Sequence, residues 1–189
     1  MLNEKILFVN ACVRKESRTR RLAEGIIKQL GGEVTEVRPA EATEPIKDES
    51  FIDARNAASM AGDFSDAVYG PARQFAEADM IVIAAPYWDL SFPAVLKAYF
   101  EQINVVGLTF EYTAEGMPRS LCKAKRLIYV TTAGGPIISD EYGYGYVKTM
   151  AQAFYGIKDV SCVKAENLDV IGADVEQILS AALEQFTKA

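Results

Sequence analysis

Four short, nearly unbroken runs of apolar and β-branched residues constrain this chain more than anything else in it. They are Lys5–Asn10, Asp79–Ala85, Arg126–Thr132 and Val160–Lys164. A strand covered on one face alternates apolar and polar residues, whereas a strand covered on both faces reads as a continuous run. These runs therefore predict strands buried between two layers of helices. A weaker, alternating run, Glu33–Arg38, predicts an edge strand. Helical stripes lie between the runs. Leu22, Ile26, Ile27 and Leu30 share one face, and Gly31-Gly32 supplies the stop. Val95, Leu96, Tyr99, Phe100 and Ile103 form a second stripe, and Val175, Ile178, Leu179, Ala182, Leu183 and Phe186 a third. Strand and helix alternate throughout, which implies an open parallel α/β sheet with right-handed crossovers. Five strands favour the doubly wound order 2-1-3-4-5, with ligands bound beyond the carboxyl ends of the strands at the switch point. The polar, poorly periodic segment from Pro39 to about Asp63 predicts a variable insertion with a short helix. No linker divides residues 1–189, so one domain is expected, and 189 residues suffice for a sizeable core.

Composition removes several functions. The chain has 0 His, which excludes a Ser-His-Asp triad, a Cys-His pair, an imidazole zinc site and an imidazole acid or base. Its net charge of -6 counts against nucleic-acid binding, which needs a basic face. Cys12, Cys122 and Cys162 are far apart, odd in number and without a C-x-x-C pair. No disulfide framework or metal site is expected, and Cys122 and Cys162 read as small buried residues in a reducing compartment. The lead-in Met1-Leu2-Asn3-Glu4-Lys5 passes into a strand without signal-peptide anatomy, and the longest apolar run, Met80 to Pro86, is too short to span a bilayer. A cytoplasmic protein without membrane contact is the expectation.

The loops after the first, third and fourth sheet strands converge in such a fold, and each has unusual content. Asn10 to Arg20 is neither a dinucleotide nor a nucleoside-triphosphate fingerprint. It brings Ser17, Thr19 and several arginines to a helix N-terminus, where free amides and the helix dipole favour an anion such as a phosphate monoester. An ordinary Ser N-cap on a basic first turn is the plainer alternative. The arginines Arg14, Arg18, Arg20 and Arg21 divide between that anion, a solvated face and the phosphates of a pyridine nucleotide. The second loop, Ala85 to Pro93, places Tyr87 and the single Trp of the chain, Trp88, between two prolines, which suits a flat ligand. Phe92 there suits the core equally. The third loop, Thr131 to Pro136, contains Gly134-Gly135, which permits close backbone approach to a ligand or forms a simple turn. Together these loops describe a site for a phosphorylated planar molecule, with FMN the obvious candidate in a sheet of this order.

At this point the sequence resembles the FMN-dependent NAD(P)H:quinone reductase and azoreductase family of the flavodoxin-like superfamily. Pro86-Tyr87-Trp88-Asp89-Leu90 is similar to that family's flavin-ring loop, and Leu96-Lys97-Ala98-Tyr99-Phe100 to the helix after it. Gly107-Leu108-Thr109-Phe110-Glu111-Tyr112 resembles its G-x-T-F-x-Y signature, Thr132-Ala133-Gly134-Gly135 its third flavin loop, and Phe154 to Val160 the approach to its last strand. The likeness covers nearly the whole chain except about Pro39–Ser65. It implies a flavodoxin-like fold in which Ser17, Arg18 and Thr19 hold the FMN phosphate and Cys12 lines the end of the first strand. Pro86, Tyr87, Trp88, Asp89 and Leu90 would line the ring edge, while Thr132, Ala133, Gly134 and Gly135 close the pyrimidine side. Phe110 and Phe154 would border the substrate pocket of a homodimer, with Tyr142 and Tyr144 as further pocket walls from a segment that reads equally as a surface lid. Cys12 stands where the family usually has Ser and Asp89 where Asn is commoner, and the third loop lacks a nearby His.

The implied activity is oxidoreduction. Hydride passes from NADH or NADPH through FMN N5 to a quinone, azo compound or similar flat acceptor by a ping-pong route. That step needs no protein acid or base, which fits a chain without His. Two alternatives stay open, a flavodoxin-type electron carrier serving protein partners and a flavin-binding regulator without turnover. Asp89 either faces the ring or caps the helix that begins near Ser91.

Overall fold

The apolar runs form a parallel sheet because each offers side chains to both of its faces. The computed structural model describes residues 4–188, so the Met1–Asn3 part of the expected lead-in lies outside the described residues. Strand β1 (Lys5–Asn10) sits between β2 (Glu33–Val37) and β3 (Met80–Ala84). Two short strands, β4 (Phe110–Tyr112) and β5 (Pro118–Ser120), make a separate antiparallel hairpin, and β6 (Arg126–Thr132) and β7 (Asp159–Ala165) complete the sheet. The sheet order is β2-β1-β3-β6-β7, all parallel, which is the expected 2-1-3-4-5 once the hairpin is set aside.

The two faces carry two cores. Leu7, Val9, Ile81, Ile83, Leu127 and Tyr129 point to one side, packed under α4 (Gly70–Glu77), α5 (Ala94–Ile103) and α6 (Tyr146–Ala153). Ile6, Phe8, Met80, Val82, Ile128 and Val130 point to the other, under α1 (Arg18–Leu30) and α7 (Val175–Lys188). Each fully buried Ile or Leu contributes about 1.5–3 kcal/mol relative to exposure. In β2 only Val37 is buried, as an edge strand requires. Helix α1 ends where Gly31 takes φ 69° and its N–H bonds Ile27 O. Gly32 follows at φ 104°, and a β-carbon there would stand 2.6 Å from Glu4 O, so both backbone angle and space demand glycine. Among the described residues, no helix is long and apolar enough to cross a membrane.

The polar segment after β2 departs from expectation. It holds α2 (Pro39–Ala42) and then α3 (Glu49–Ala61), a helix of 13 residues rather than a short one. Asp48 Oδ1 caps α3 by accepting from Phe51 N, and Gly62 closes it in the left-handed region. None of its residues is buried, so no apolar stripe announces it in the sequence. A second unexpected element is the π-helical turn Glu141–Gly145, where Gly145 N donates to Asp140 O, five residues back, at 2.7 Å.

Candidate functional site

Strand β1 ends at Asn10, whose Oδ1 accepts from Cys12 N and whose Nδ2 donates to Glu36 Oε1. That pair of bonds turns the chain over the carboxyl edge of the sheet toward α1. Ser17 is the N-cap of α1, its Oγ accepting from Arg20 N at 3.2 Å. The plainer reading of Ser17 is therefore part of its role. The amides of Arg18 and Thr19 have no intrahelical acceptor, as always in a first turn, and no acidic side chain stands there to neutralise the helix end. Thr19 Oγ1 and Thr132 Oγ1 share a hydrogen bond of 2.6 Å, with the two residues 1% and 8% exposed, which ties the first loop to the third. The arginines divide. Arg20 pairs with Glu24 and Arg21 with Glu176 on the outer surface, while Arg14 and Arg18 face a cavity. Arg18 Nη1 reaches Asp169 Oδ1 at 2.6 Å and Leu168 O at 3.3 Å.

In the second loop Tyr87 N donates to Thr132 O, and Trp88 and Ser91 exchange backbone hydrogen bonds of 3.0 and 2.8 Å. That closes a tight turn with Asp89 at φ 49° and Leu90 at φ 68°. Turns with two positive-φ central residues normally carry Asn or Gly. Leu at such an angle costs of order 1 kcal/mol, and strain of this sort clusters at functional sites. Helix α5 begins only at Ala94 behind Pro93 and has no side-chain cap. The structure thus corrects the alternative in which Asp89 caps that helix: the strained turn and two further residues separate them. Beyond the turn, Ser91 Oγ donates to Tyr142 O at 2.6 Å, and Tyr87 Oη accepts from Ser139 N.

The third loop is braced by the segment after β7. Ala133 N donates to Ala165 O, Leu168 N to Ala133 O, and Asp169 N to Gly134 O. A β-carbon on Gly134 would stand 2.3 Å from Asp169 Oδ2, whereas one on Gly135 meets nothing within 4 Å. A β-carbon on the first glycine of the pair would have to displace that carboxylate, and one on the second would not. The amides of Gly134 and Gly135 donate to no backbone carbonyl among the described residues.

These loops enclose a cavity of about 370 Å³. Cys12, Ser17, Arg18 and Thr19, then Pro86, Tyr87 and Trp88, then Thr132, Ala133 and Gly134 all line it. Asp89, Leu90 and Gly135 do not. Val13, Glu16, Leu168 and Asp169 line it without having been singled out from sequence. The only signal for the last two is their place just after the final sheet strand, at the edge where ligands gather. The cavity is mixed in charge, with Arg14 and Arg18 against Glu16 and Asp169.

The four expected pocket aromatics lie elsewhere. Phe110 is buried edge-on against Phe154, ring centres 5.0 Å apart, at the hairpin. Tyr142 lines a neighbouring hollow of about 570 Å³ with Phe92, Tyr146 and Lys97. Tyr144 turns its hydroxyl to Val160 O at 2.8 Å and its ring toward Tyr129, so it is packed on the sheet rather than at the cavity. All three cysteines are free; Cys12 is buried, whereas Cys122 and Cys162, expected to be buried, are only partly so. Burial raises the Cys12 thiol pKa, opposed by Ser17 and Arg20, and pushes Cys122 and Cys162 up to about 12.

Residues 4–189 match the family model described as flavodoxin-like fold. The chain is 33% identical over 190 residues to an FMN-dependent NADH:quinone oxidoreductase of Clostridium perfringens, an alignment covering 96% of this chain and 95% of that protein. It is 50% identical over 105 residues to an enzyme of the same name from Lachnoclostridium phytofermentans, where the match spans 52% of that relative's length. Among solved structures, an azoreductase from Bacillus anthracis superposes with a TM-score of 0.79 at 28% identity, covering 98% of this chain and 97% of that one.

Proposed function

We propose, because the chain belongs to the flavodoxin-like family that includes the FMN-dependent NADH:quinone oxidoreductases and azoreductases, that it is an oxidoreductase of this kind. It binds FMN and takes electrons from NADH or NADPH for a quinone, an azo compound or a similar flat acceptor. The observation that carries this reading is a single cavity with a helix N-terminus and hydroxyls at one end and Tyr87 and Trp88 at another.

The residues fit the cofactor. Its volume suits a small-molecule pocket, for which about 300–1,000 Å³ is usual. Two lining cations are matched by two lining carboxylates, so the anion is held chiefly by the first-turn amides of α1 with Thr19, Ser17 and the Arg18 guanidinium. Tyr87 and Trp88 would hold the planar ring, with Trp88 38% exposed and so open to a second flat molecule. The strained Asp89-Leu90 turn lies just beyond Trp88, and Gly134 lines the cavity with an amide that donates to no backbone carbonyl among the described residues. When bound, FMN supplies the two-electron chemistry between nicotinamide and acceptor. The protein then has only to bind, orient and exclude water, work that needs no imidazole. Donor and acceptor use the same opening in turn, the ping-pong arrangement.

A homodimer completes the site. Tyr112 is 56% and Met117 63% exposed on the hairpin, and Tyr142 is 55% exposed beside the cavity, an apolar surface of the sort that two-fold contacts cover. Three unpaired cysteines suit a cytoplasmic setting. The deciding experiment mixes the flavin-loaded protein anaerobically with NADH and, separately, NADPH while the flavin band is followed. Rapid bleaching and reoxidation by a quinone support the enzyme. No bleaching with either nucleotide refutes it in favour of an electron carrier or regulator.

A further inference from the structure

Asp169 has no place in that scheme, yet three contacts fix it at the cavity wall. Its N–H donates to Gly134 O at 2.9 Å. Its carboxylate lies over the Gly134 Cα, occupying the space a β-carbon would need. Its Oδ1 accepts from Arg18 Nη1 at 2.6 Å. Leu168 repeats the pattern, donating its N–H to Ala133 O and accepting from the same Arg18 nitrogen. The third loop thus holds the 168–169 segment, and the segment holds Arg18.

A cation in the first turn of α1 opposes the helix dipole, and the two contacts made by Arg18 offset that cost. Both of its bonds use Nη1, and a guanidinium has five N–H donors. Nε and Nη2 make no hydrogen bond among the described residues and are free to meet an anion. At 2.6 Å the two charges largely compensate each other, so the pair offers an anion chiefly the unshared donors Nε and Nη2 of Arg18.

We propose that Asp169 is a positioning residue for the cofactor phosphate, acting through Arg18. It pre-orders the long Arg18 side chain, so that less freedom is lost when the anion binds. The inference rests on the FMN reading above.

The test titrates flavin-free protein with FMN and with riboflavin, which lacks the phosphate, following flavin fluorescence. Wild type, D169N, R18M and the double variant are compared. D169N keeps the side-chain shape, and at 68% exposure the position tolerates it without loss of folding, which a melting curve verifies. The expected result is FMN binding weakened about two- to fivefold in D169N, the range for a partly exposed ion pair, with riboflavin binding unchanged. In the R18M background D169N should have no further effect. Unchanged or tighter FMN binding in D169N overturns the proposal, and so does an equal loss for both flavins, which would make Asp169 a loop-shaping residue. Wild type that binds neither flavin overturns the FMN reading and this inference together, whereas wild type that binds FMN leaves the reading standing whatever D169N does.

Discussion

The hydroxyl pair Thr19–Thr132 is a buried side-chain contact that joins two of the cavity's loops, and its contribution can be isolated by a double-mutant cycle. Thr19→Val preserves shape but removes one partner of a 2.6 Å hydrogen bond in which the residues are 1% and 8% exposed. The loss has two parts, about 1 kcal/mol for the bond and about 1–3 kcal/mol for leaving the Thr132 hydroxyl buried and unpaired. Thr132→Val leaves the Thr19 hydroxyl in the same position. For a chain of this length each kcal/mol corresponds to about 2–4 °C in melting temperature, so each single variant should melt several degrees lower. The double variant replaces both hydroxyls with methyl groups of matching shape and should be nearly neutral. The cycle is therefore strongly non-additive, with a coupling about equal in size to the sum of the two single losses. The assay is thermal or urea unfolding of the flavin-free protein, monitored by circular dichroism. If the two losses simply add, the hydroxyls are solvated independently and the loops are not joined through them.

Three further outcomes are expected. Gly32→Ala should destabilise by more than about 2 kcal/mol, since its new β-carbon meets the Glu4 backbone carbonyl at φ 104°, whereas Gly134→Ala meets only the movable Asp169 side chain and should cost less than about 1 kcal/mol. Urea unfolding of the two variants checks the order, and the reverse order refutes it. Leu90→Gly should be neutral or stabilising by less than about 1 kcal/mol, because relief of left-handed strain at φ 68° offsets the entropy of a new glycine; a loss above that shows that the Leu90 side chain is needed where it lies. Cys122 and Cys162, pushed up to about 12 by burial, stay protonated at pH 8 and should react with iodoacetamide far more slowly than unfolded protein does. Because burial raises these folded-state values, their stabilising contribution is complete below the unfolded thiol value near 8.5 and is lost as pH rises from there toward about 12. A melting temperature that climbs over that alkaline window would contradict this assignment.

The central strands were legible to within a residue or two, Lys5–Asn10 and Arg126–Thr132 at both ends, because burial from above and below keeps the middle of each run apolar. Val160–Lys164, also expected as a buried strand, lies instead at the other edge of the sheet, with only Val163 buried among those residues. Helix α3 was not legible, since a helix with no buried residue has no stripe to read, and only its caps, Asp48 and Gly62, mark it. Strand β4 was hidden in the Gly107–Tyr112 motif and its partner β5 lies beyond it, and three-residue strands are too short to show a period. Ten of the thirteen residues expected at the cofactor line one cavity, because loop position in a parallel sheet follows from strand order. Asp169 was invisible for the opposite reason. Its place depends on how a turn with Asn167 at φ 63° and Gly172 at φ 84° folds back over Gly134, which no local pattern encodes.

The wide turn at Glu141–Gly145 has a consequence for how such a chain can diverge. A π-helical turn is an α-helix that has accommodated one additional residue. Deleting a single residue between Asp140 and Gly145 would let α6 run back as regular helix, without breaking anything downstream. The residues of the turn on the N-terminal side of the deletion would then rotate by about 100° around the helix axis, the angle of one residue at 3.6 per turn. The carbonyl of Tyr142, now fastened to Ser91 Oγ, would leave that contact, and a different side chain would stand beside the cavity. Length variation of one residue here thus exchanges the face shown to the neighbouring hollow while the sheet and the loops beneath it keep their registration.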